Sequence, residues 1–431
     1  MAMVVKNNMS AISTLNTLNK NSSALSKSLQ KVSSGMKING AADDASGYAI
    51  SERMRVQIRG LDQANQNTQN GSSMMKVAEG AVSSTVDILK TLKEKVINAA
   101  NDTNTDADRQ TIQKELDQSI DQINDNANVT YNGKYLVDGS HNSKVTPTTT
   151  AMTNQSLNTS ATFASAFTSL TDRNGNSLNI QSSDTITLSY VKEGKTNTVS
   201  ITAGTASISD LITKVSTDLS TGEATSVIGK DVAGDTVYTA DGQPALTIKS
   251  AASGIEGQIS GITFSVTDTK GNVKKSANAL LDNFSESIRA QNMSNDNSIN
   301  LQVGTKSNQA IKVGLTDMRA EALGLQAKDG TTLNISTKEY ANAAINVLDS
   351  AVQKALDQQT TIGAVQSRLE YTSSNLTTAS ENVQASESTI RDADMAKEMT
   401  NYTKNNVLMQ AAQAMLSQAN QSSSSVLSLL Q

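Results

Sequence analysis

Residues 50–99 read ISERMRVQIRGLDQANQNTQNGSSMMKVAEGAVSSTVDILKTLKEKVINA, and they decide the architecture. Taken at alternating spacings of four and three, they give Ile50, Met54, Gln57, Leu61, Ala64, Thr68, Gly71, Met75, Ala78, Val82, Thr85, Leu89, Leu92, Val96 and Ala99. Most are apolar, and the residues between them are largely Asn, Gln, Ser, Lys and Asp. That is a heptad stripe, and no proline interrupts it, so the spacing predicts one uninterrupted helix. At 1.5 Å rise per residue such a helix is roughly 75 Å long. A rod of that length cannot bury its stripe in a compact core and needs long partner helices.

The partners lie at both ends of the chain. A second stripe runs through Ile345, Leu348, Val352, Ala355, Leu356, Ile362, Leu369, Leu376, Val383 and Ile390, predicting another long helix. Residues 9–36 carry Ala11, Leu15, Leu18, Ser22, Leu25, Leu29, Val32 and Met36 at the same spacing. The tail continues with Leu408, Met415, Ala419, Val426 and Leu429. Between the first two helices, Gly35, Gly40 and the run Ala41 to Gly47, with Asp43 and Asp44, read as a helix end, a connector and a capped restart. After a loop at Asn101–Asn104, Thr105 stands three residues before Asp108 as a capping box. It opens a helix whose Ile112, Leu116, Ile120 and Ile123 share a face and fold back over the first stripe. Asn132-Gly133, between strand-forming residues, predicts a hairpin over 131–137.

From His141 the period is lost. Residues 141–170 are Ser/Thr-rich and read as an exposed, loop-like stretch. Alternation then appears at Ile186/Leu188/Tyr190 and Val199/Ile201 around Glu193-Gly194-Lys195, and again at Leu246/Ile248 and Ile262/Phe264/Val266. Within this block only Ile208, Leu211, Ile212, Val215 and Leu219 suggest a helix. Leu301/Val303 and Ile311/Val313 predict one more hairpin. The expected shape is a chain-long helical hairpin with a mostly β insertion at its far tip.

Composition narrows the function. The net charge of −5 gives no reason to expect nucleic acid or an anionic membrane as partner. With no Cys there are neither disulfides nor thiolate metal sites. The start, Met1 to Lys6, lacks the apolar run of a cleaved signal peptide, and no stretch reaches the length of a membrane span. By these rules the chain is soluble, and cytoplasmic unless a dedicated export route reads it. The terminal seams carry Ser and Ala between their leucines, so two end helices bury too little apolar surface to offset backbone ordering. The ends are therefore expected to be disordered when free and to fold among copies of themselves. Head-to-tail contacts that do not close give a filament. The side chains expected in its inner contacts are Leu15, Leu18, Leu25, Leu29, Val32, Leu408, Met415, Val426 and Leu429.

The run Leu29-Gln-Lys-Val-Ser-Ser-Gly-Met-Lys-Ile-Asn39, with Ala42-Asp-Asp-Ala-Ser-Gly47, resembles bacterial flagellin. So does Ser386-Glu-Ser-Thr-Ile-Arg-Asp-Ala-Asp-Met-Ala396 with the Ser-rich, Leu-ended tail, and the likeness covers roughly 1–140 and 295–431. It implies a mainly α fold with a β-rich insertion: terminal coiled-coil helices, a long antiparallel helical rod with β-hairpins, and a mostly β outer domain. Residues 1–43 and 392–431 would form the terminal domain that lines the filament's inner core. Residues 44–140 and 286–391 would form the rod, and 141–285 the variable outer domain. Asp43, Asp44, Gly47, Arg391, Asp392 and Asp394 would form the connector between terminal domain and rod. The resemblance also implies export by the flagellar type III route without a cleaved signal, and an extracellular filament as destination. Its partners would be other copies of the chain, an export chaperone on residues 395–431, and the hook–filament junction and cap proteins.

The likeness brings one further expectation. Flagellins that stimulate a Toll-like receptor carry the pattern Gln-Arg-Val-Arg-Glu-Leu-Ala-Val-Gln where this chain has Lys90-Thr91-Leu92-Lys93-Glu94-Lys95-Val96-Ile97-Asn98. Thr91, Lys93, Glu94, Lys95 and, from the next helix, Glu115 would form that face. With Thr91 in place of an Arg and an unpaired Lys95 in place of a Leu, binding would be weak.

Other chemistry finds no footing. Asp102, Asn104, Asp106 and Asp108 start like a calcium loop, but Ala107 stands at the Gly position and Gln113 at the bidentate Glu position. His141 is the only histidine, so no His-Glu-x-x-His zinc site exists, and no phosphate loop or nucleophile elbow appears. Met74, Met75 and Met395 read as core filler. No cofactor, metal or catalytic residue is expected. Two alternative readings fit the same sequence: a hook–filament junction protein, which shares the terminal helices, or a secreted adhesin or enzyme on a helical stalk.

Overall fold

The computed structural model describes residues 8–429, except for side chains at 221–223, 423 and 425–429. In chain order the first helices are α1 (Met9–Ser34), α2 (Ala45–Ala99) and α3 (Asp106–Ala127). Strands β1 (Thr130–Tyr131), β2 (Lys134–Tyr135), β3 (Ala151–Asn154), β4 (Thr185–Lys192) and β5 (Lys195–Thr202) lead to the short α4 (Ile208–Thr213). Then come β6 (Leu219–Thr225), β7 (Val227–Lys230), β8 (Thr236–Tyr238), β9 (Ala245–Ser250), β10 (Ile259–Thr267), α5 (Lys275–Leu281) and β11 (Phe284–Ile288). The chain ends through β12 (Ile299–Gln302), β13 (Ala310–Val313), α6 (Ala320–Leu323), α7 (Lys338–Arg391) and α8 (Met395–Leu429). It is helical at both ends and strand-rich in the middle. Two compact units result: Met1–Thr68 with Gln302–Gln309 and Tyr371–Gln431, and Gln69–Leu301 with Ala310–Glu370.

In the first unit α1 and α8 run antiparallel. Asn8 Nδ2 donates to the Ala419 carbonyl at 3.1 Å, Asn21 Nδ2 to that of Leu408 at 3.2 Å, and Asn405 Nδ2 to Ser28 Oγ at 3.0 Å. The α1 face that carries these bonds is Thr14, Leu18, Asn21, Leu25, Ser28 and Val32, half-buried or buried. Its partner face on α8 is Tyr402, Asn405, Met409, Ala412, Leu416 and Ala419. In the same unit the early turns of α2 meet the late turns of α7 through Leu61, Ala64 and Leu376. Polar contacts flank that small cluster: Ser373 Oγ donates to Asn65 Oδ1 at 2.7 Å, and Ser380 Oγ to Asp62 at 3.1 Å.

The second unit buries the rest of the α2 stripe. Met75, Ala78, Val82, Leu89, Val96 and Ala99 are fully buried, as are Ile120 and Ile123 of α3 and Leu348, Ala355, Ile362 and Leu369 of α7. Helix α3 starts with the expected capping box: Asp108 N donates to Thr105 Oγ1 at 3.3 Å, and Thr105 N donates to Asp108 Oδ2 at 2.9 Å. Arg109, 6% exposed, closes the C-terminus of α2 by donating to the carbonyls of Ala99 at 2.8 Å and Asn101 at 3.0 Å. Asn132 and Gly133, both at positive φ, turn β1 back on β2.

The strand-rich part is built on two sheets, ordered β10-β4-β5 and β11-β3-β9-β6. They enclose a core that includes Phe167, Ile186, Leu188, Leu211, Leu246, Ile248, Phe264 and Leu281. Glu193 and Gly194, at φ 49° and 68°, join β4 to β5, with Lys192 opposite Lys195.

This region departs from the sequence expectation at three points. Residues 141–170 are not an exposed loop: β3 is buried at all four positions, and Leu157, Phe167 and Leu170 are core residues. The strand lies between β11 and β9 and is covered on both faces, so no alternation marks it. The region also holds a second helix, α5, seven residues long and without a side-chain cap. The expected helix at 208–219 ends at Thr213, and Leu219 opens β6.

Candidate assembly surface and connector

The connector residues converge in the first unit. Gly35, at φ 70°, ends α1, and the chain then pairs with the end of α7: Lys37 N donates to the Arg391 carbonyl at 2.7 Å and Ala393 N to that of Gly35 at 2.9 Å. Asp43 Oδ2 accepts from Asn39 N at 3.1 Å, holding the loop. Asp44 Oδ1 accepts from Ser46 N at 3.1 Å and Gly47 N at 3.0 Å, which starts α2. A Cβ on Gly47 would lie 2.5 Å from Asp44 Oδ2 and 2.7 Å from Ile38 Cδ1, so any larger residue there must displace the capping carboxylate and the Ile38 side chain. Asp394 does for α8 what Asp44 does for α2, accepting from Ala396 N at 3.0 Å and Lys397 N at 3.2 Å. Asp392 joins the pairing through its backbone, opposite Met36.

Arg391 is the centre of this cluster. It is 5% exposed, and its Nη1 donates to Glu52 Oε1 at 2.7 Å and Ser51 Oγ at 3.3 Å. Nε donates to Met36 Sδ at 3.2 Å, and the guanidinium stands 5.6 Å from the Tyr48 ring centroid. The Arg391 hydrogen bond is the largest influence holding the Glu52 carboxyl below its ordinary pKa. One side chain thus ties the end of α7 to the start of α2 and to the loop between α1 and α2. The sequence singled out Arg391 but not its partners Met36, Tyr48, Ser51 and Glu52. Tyr48, Ser51 and Glu52 fall at helical spacing in the first turns of α2, the one signal that could have found them.

The expected contact residues divide into two groups. Leu18, Leu25 and Val32 lie half-buried on the α1 face toward α8. Leu15 and Leu29, 45% and 51% exposed, lie off it, as do Leu408 and Met415 of α8 at 42% and 63%. Both offsets fit the heptad, and the in-chain seam takes Thr14, Asn21 and Ser28 instead of Leu15, Ser22 and Leu29. With Ile12 and Val407, the leucines off the seam leave apolar ridges facing out. The side chains of Val426 and Leu429 lie outside the described residues.

In the second unit Thr91 and Glu94 are exposed, and Thr91 Oγ1 donates to the Asp87 carbonyl at 3.0 Å. Lys93 pairs with Asp349. Lys95 is not an unpaired ammonium: Glu115 Oε1 lies 3.1 Å from its Nζ, the i+4 face of α2 meeting α3. The acids that resemble a calcium loop also have other partners, Asp102 with Lys338 and Asp106 with Arg109.

Comparison with known proteins now decides the family. Residues 5–142 match the bacterial flagellin N-terminal helical region, and residues 345–430 match the C-terminal helical region. A flagellin of Clostridium tyrobutyricum is 36% identical over 97% of this chain and 99% of its own. The chain belongs to the bacterial flagellin family. A flagellin of Bacillus subtilis is 31% identical over 99% of this chain and all of its own. The flagellar junction protein FlgL of Legionella pneumophila, a solved structure, covers 79% of this chain and 99% of its own at 15% identity and TM-score 0.33, a likeness that carries no weight. Flagellins are structural subunits of the flagellar filament, and the connector just described joins the helices that both family regions cover. Among the described residues no helix is long and apolar enough to cross a membrane.

Proposed function

We propose that this flagellin polymerises through α1 and α8, whose outward apolar ridges are covered by neighbouring copies in the filament. The observation that carries this is the exposure of Leu15, Leu29, Leu408 and Met415 beside an in-chain seam in which Thr14, Asn21 and Ser28 alternate with Leu18, Leu25 and Val32. A lone subunit gains little from such a seam, so the ends order only when copies cover the ridges. Residues 1–43 and 392–431 are the coiled-coil domain at the filament core. Residues 44–140 and 286–391 are the antiparallel rod with its hairpins, and 141–285 the outer domain. The subunit does no catalysis. It leaves the cell without a cleaved signal, its residues 395–431 held by an export chaperone, and it assembles between the hook–filament junction and cap proteins. Electron microscopy of purified protein tests the reading: long homopolymers are expected, and removal of 415–431 abolishes them while the rod helices stay folded. Monomers or short caps alone would refute it.

The same reading makes this flagellin a weak ligand of the flagellin-sensing Toll-like receptor. Thr91 supplies no guanidinium, and the Lys95–Glu115 pair occupies two of the positions a receptor would contact. Monomer should be at least about tenfold less potent than a flagellin with the full pattern, a difference worth about 1.4 kcal/mol. Reporter cells dosed with the wild type and with Thr91→Arg/Lys95→Leu check this. Full potency of the wild type, or no gain from the double change, would sink it.

A further inference from the structure

Strand β10 carries an irregularity that the filament role does not use. Its register against β4 shifts between Ile259, opposite Lys192, and Gly261, opposite Val191, so Ser260 is the extra residue of a bulge. The bulge turns Ser260 into a niche of about 10 Å³ beside Gln258, under the loop that follows α6. Both residues are 2% exposed. Ser260 Oγ and both polar atoms of the Gln258 amide have no hydrogen-bond partner among the described residues. Gly324, at φ 83°, forms the opposite wall, and a Cβ there would lie 2.1 Å from Ser260 Oγ and 3.2 Å from Gln258 Nε2. No side chain fits between them.

We propose that this niche is a binding site for one ordered water that links Ser260 and Gln258 to the loop after α6. The volume admits a single water, and the site offers the donors and acceptors that a buried water uses. Leaving such atoms unpaired would penalise the fold at every one of them, whereas a bulge that aims a hydroxyl at an amide gathers them around one molecule. A cation would satisfy the oxygens and leave the Gln258 Nε2 donor without an acceptor. Glu256 at the rim is already paired with Lys328 at 2.6 Å, and among the described residues no three acids gather to hold a metal ion.

Two measurements on the full chain test the site. A filament map at better than 2 Å should show a peak within about 3.2 Å of Ser260 Oγ and a Gln258 amide atom. No peak there, or one coordinated by oxygens alone, overturns the proposal. Thermal unfolding supplies a sign. Ser260→Ala and Gln258→Leu should each lower the melting temperature by roughly 2–4 °C. The double variant should fall no further than the larger single shift, since one molecule is lost once. A rise in either single variant means the removed group had no ligand, and additive losses mean the two groups share none; either result refutes the site.

Discussion

Replacing Arg391 by Met keeps the volume of the side chain and removes its charge, which isolates what the guanidinium does in the connector. Its bond to the Ser51 hydroxyl, which lies on a fully buried residue, is charge-assisted and worth about 1.5–3 kcal/mol. The face-on contact with Tyr48 adds about 0.5–1 kcal/mol. Nothing is assigned to Glu52, whose side chain is 36% exposed and can turn to water. The expected loss is therefore at least about 2 kcal/mol per subunit, about 30-fold in a local opening equilibrium. In assembled filaments the amides of Lys37 and Ala393, bonded to Arg391 and Gly35, should exchange about 30-fold faster, while those of β4 stay unchanged. Arg391→Lys keeps the charge but loses the planar fork and should fall between. Wild-type exchange at both amides in the Met variant would show that the backbone pairing alone holds the connector.

Leu29→Asp should abolish filaments yet leave the monomer's strand-rich region intact, because Leu29 is half-exposed within the chain and its carboxylate would be buried only between copies. Filaments of normal length from that variant would remove Leu29 from the contact. Asp282 is pushed up to about 6 by burial, against hydrogen bonds from Phe264 N and Asn346 that oppose the shift. Because its folded pKa is raised, ionisation costs the fold about 3 kcal/mol at neutral pH, and that cost fades as pH falls from about 6 toward 4. Asp282→Asn, which keeps the acceptor, should be more resistant to urea at pH 7 and lose its advantage near pH 4; a less stable variant at pH 7 contradicts the assignment. Arg109→Ala should free the end of α2 and speed exchange across residues 99–105, and undisturbed exchange there would mean the turn holds itself. Deletion of about residues 145–280 should leave polymerisation intact, checked by sedimentation; its failure would give the strand-rich region an essential contact.

The long helices were legible because a stripe buried along one side leaves a period. Every stripe position from Leu61 to Ala99 is buried, whereas Gln57, polar and exposed, marks where the cover thins. Short-range chemistry was equally readable: the Thr105–Asp108 box and the Asn132-Gly133 and Glu193-Gly194 turns depend on neighbours in sequence. The offset of the α1 seam was not, because a heptad admits Leu15 and Leu29 or Thr14 and Ser28, and burial chooses the polar set within the chain. Strand β3 was hidden by cover on both faces, and α5 by its length. In the connector, the run from Ala41 to Gly47 was legible as a capped restart, whereas Arg391 and Asp394 stood out only through the family likeness. The partners of Arg391 come from two segments, the loop at Met36 and the first turns of α2, that the fold brings to the end of α7, and no local pattern announces that.

The central claim is that the chain assembles through terminal helices that are incomplete alone. Amide exchange at residues 8–40 and 395–429, compared between dilute monomer and filaments, tests it most directly. Fast exchange in the monomer and strong protection in the filament are expected. Protection of both ends in dilute monomer, or none in the filament, would contradict it.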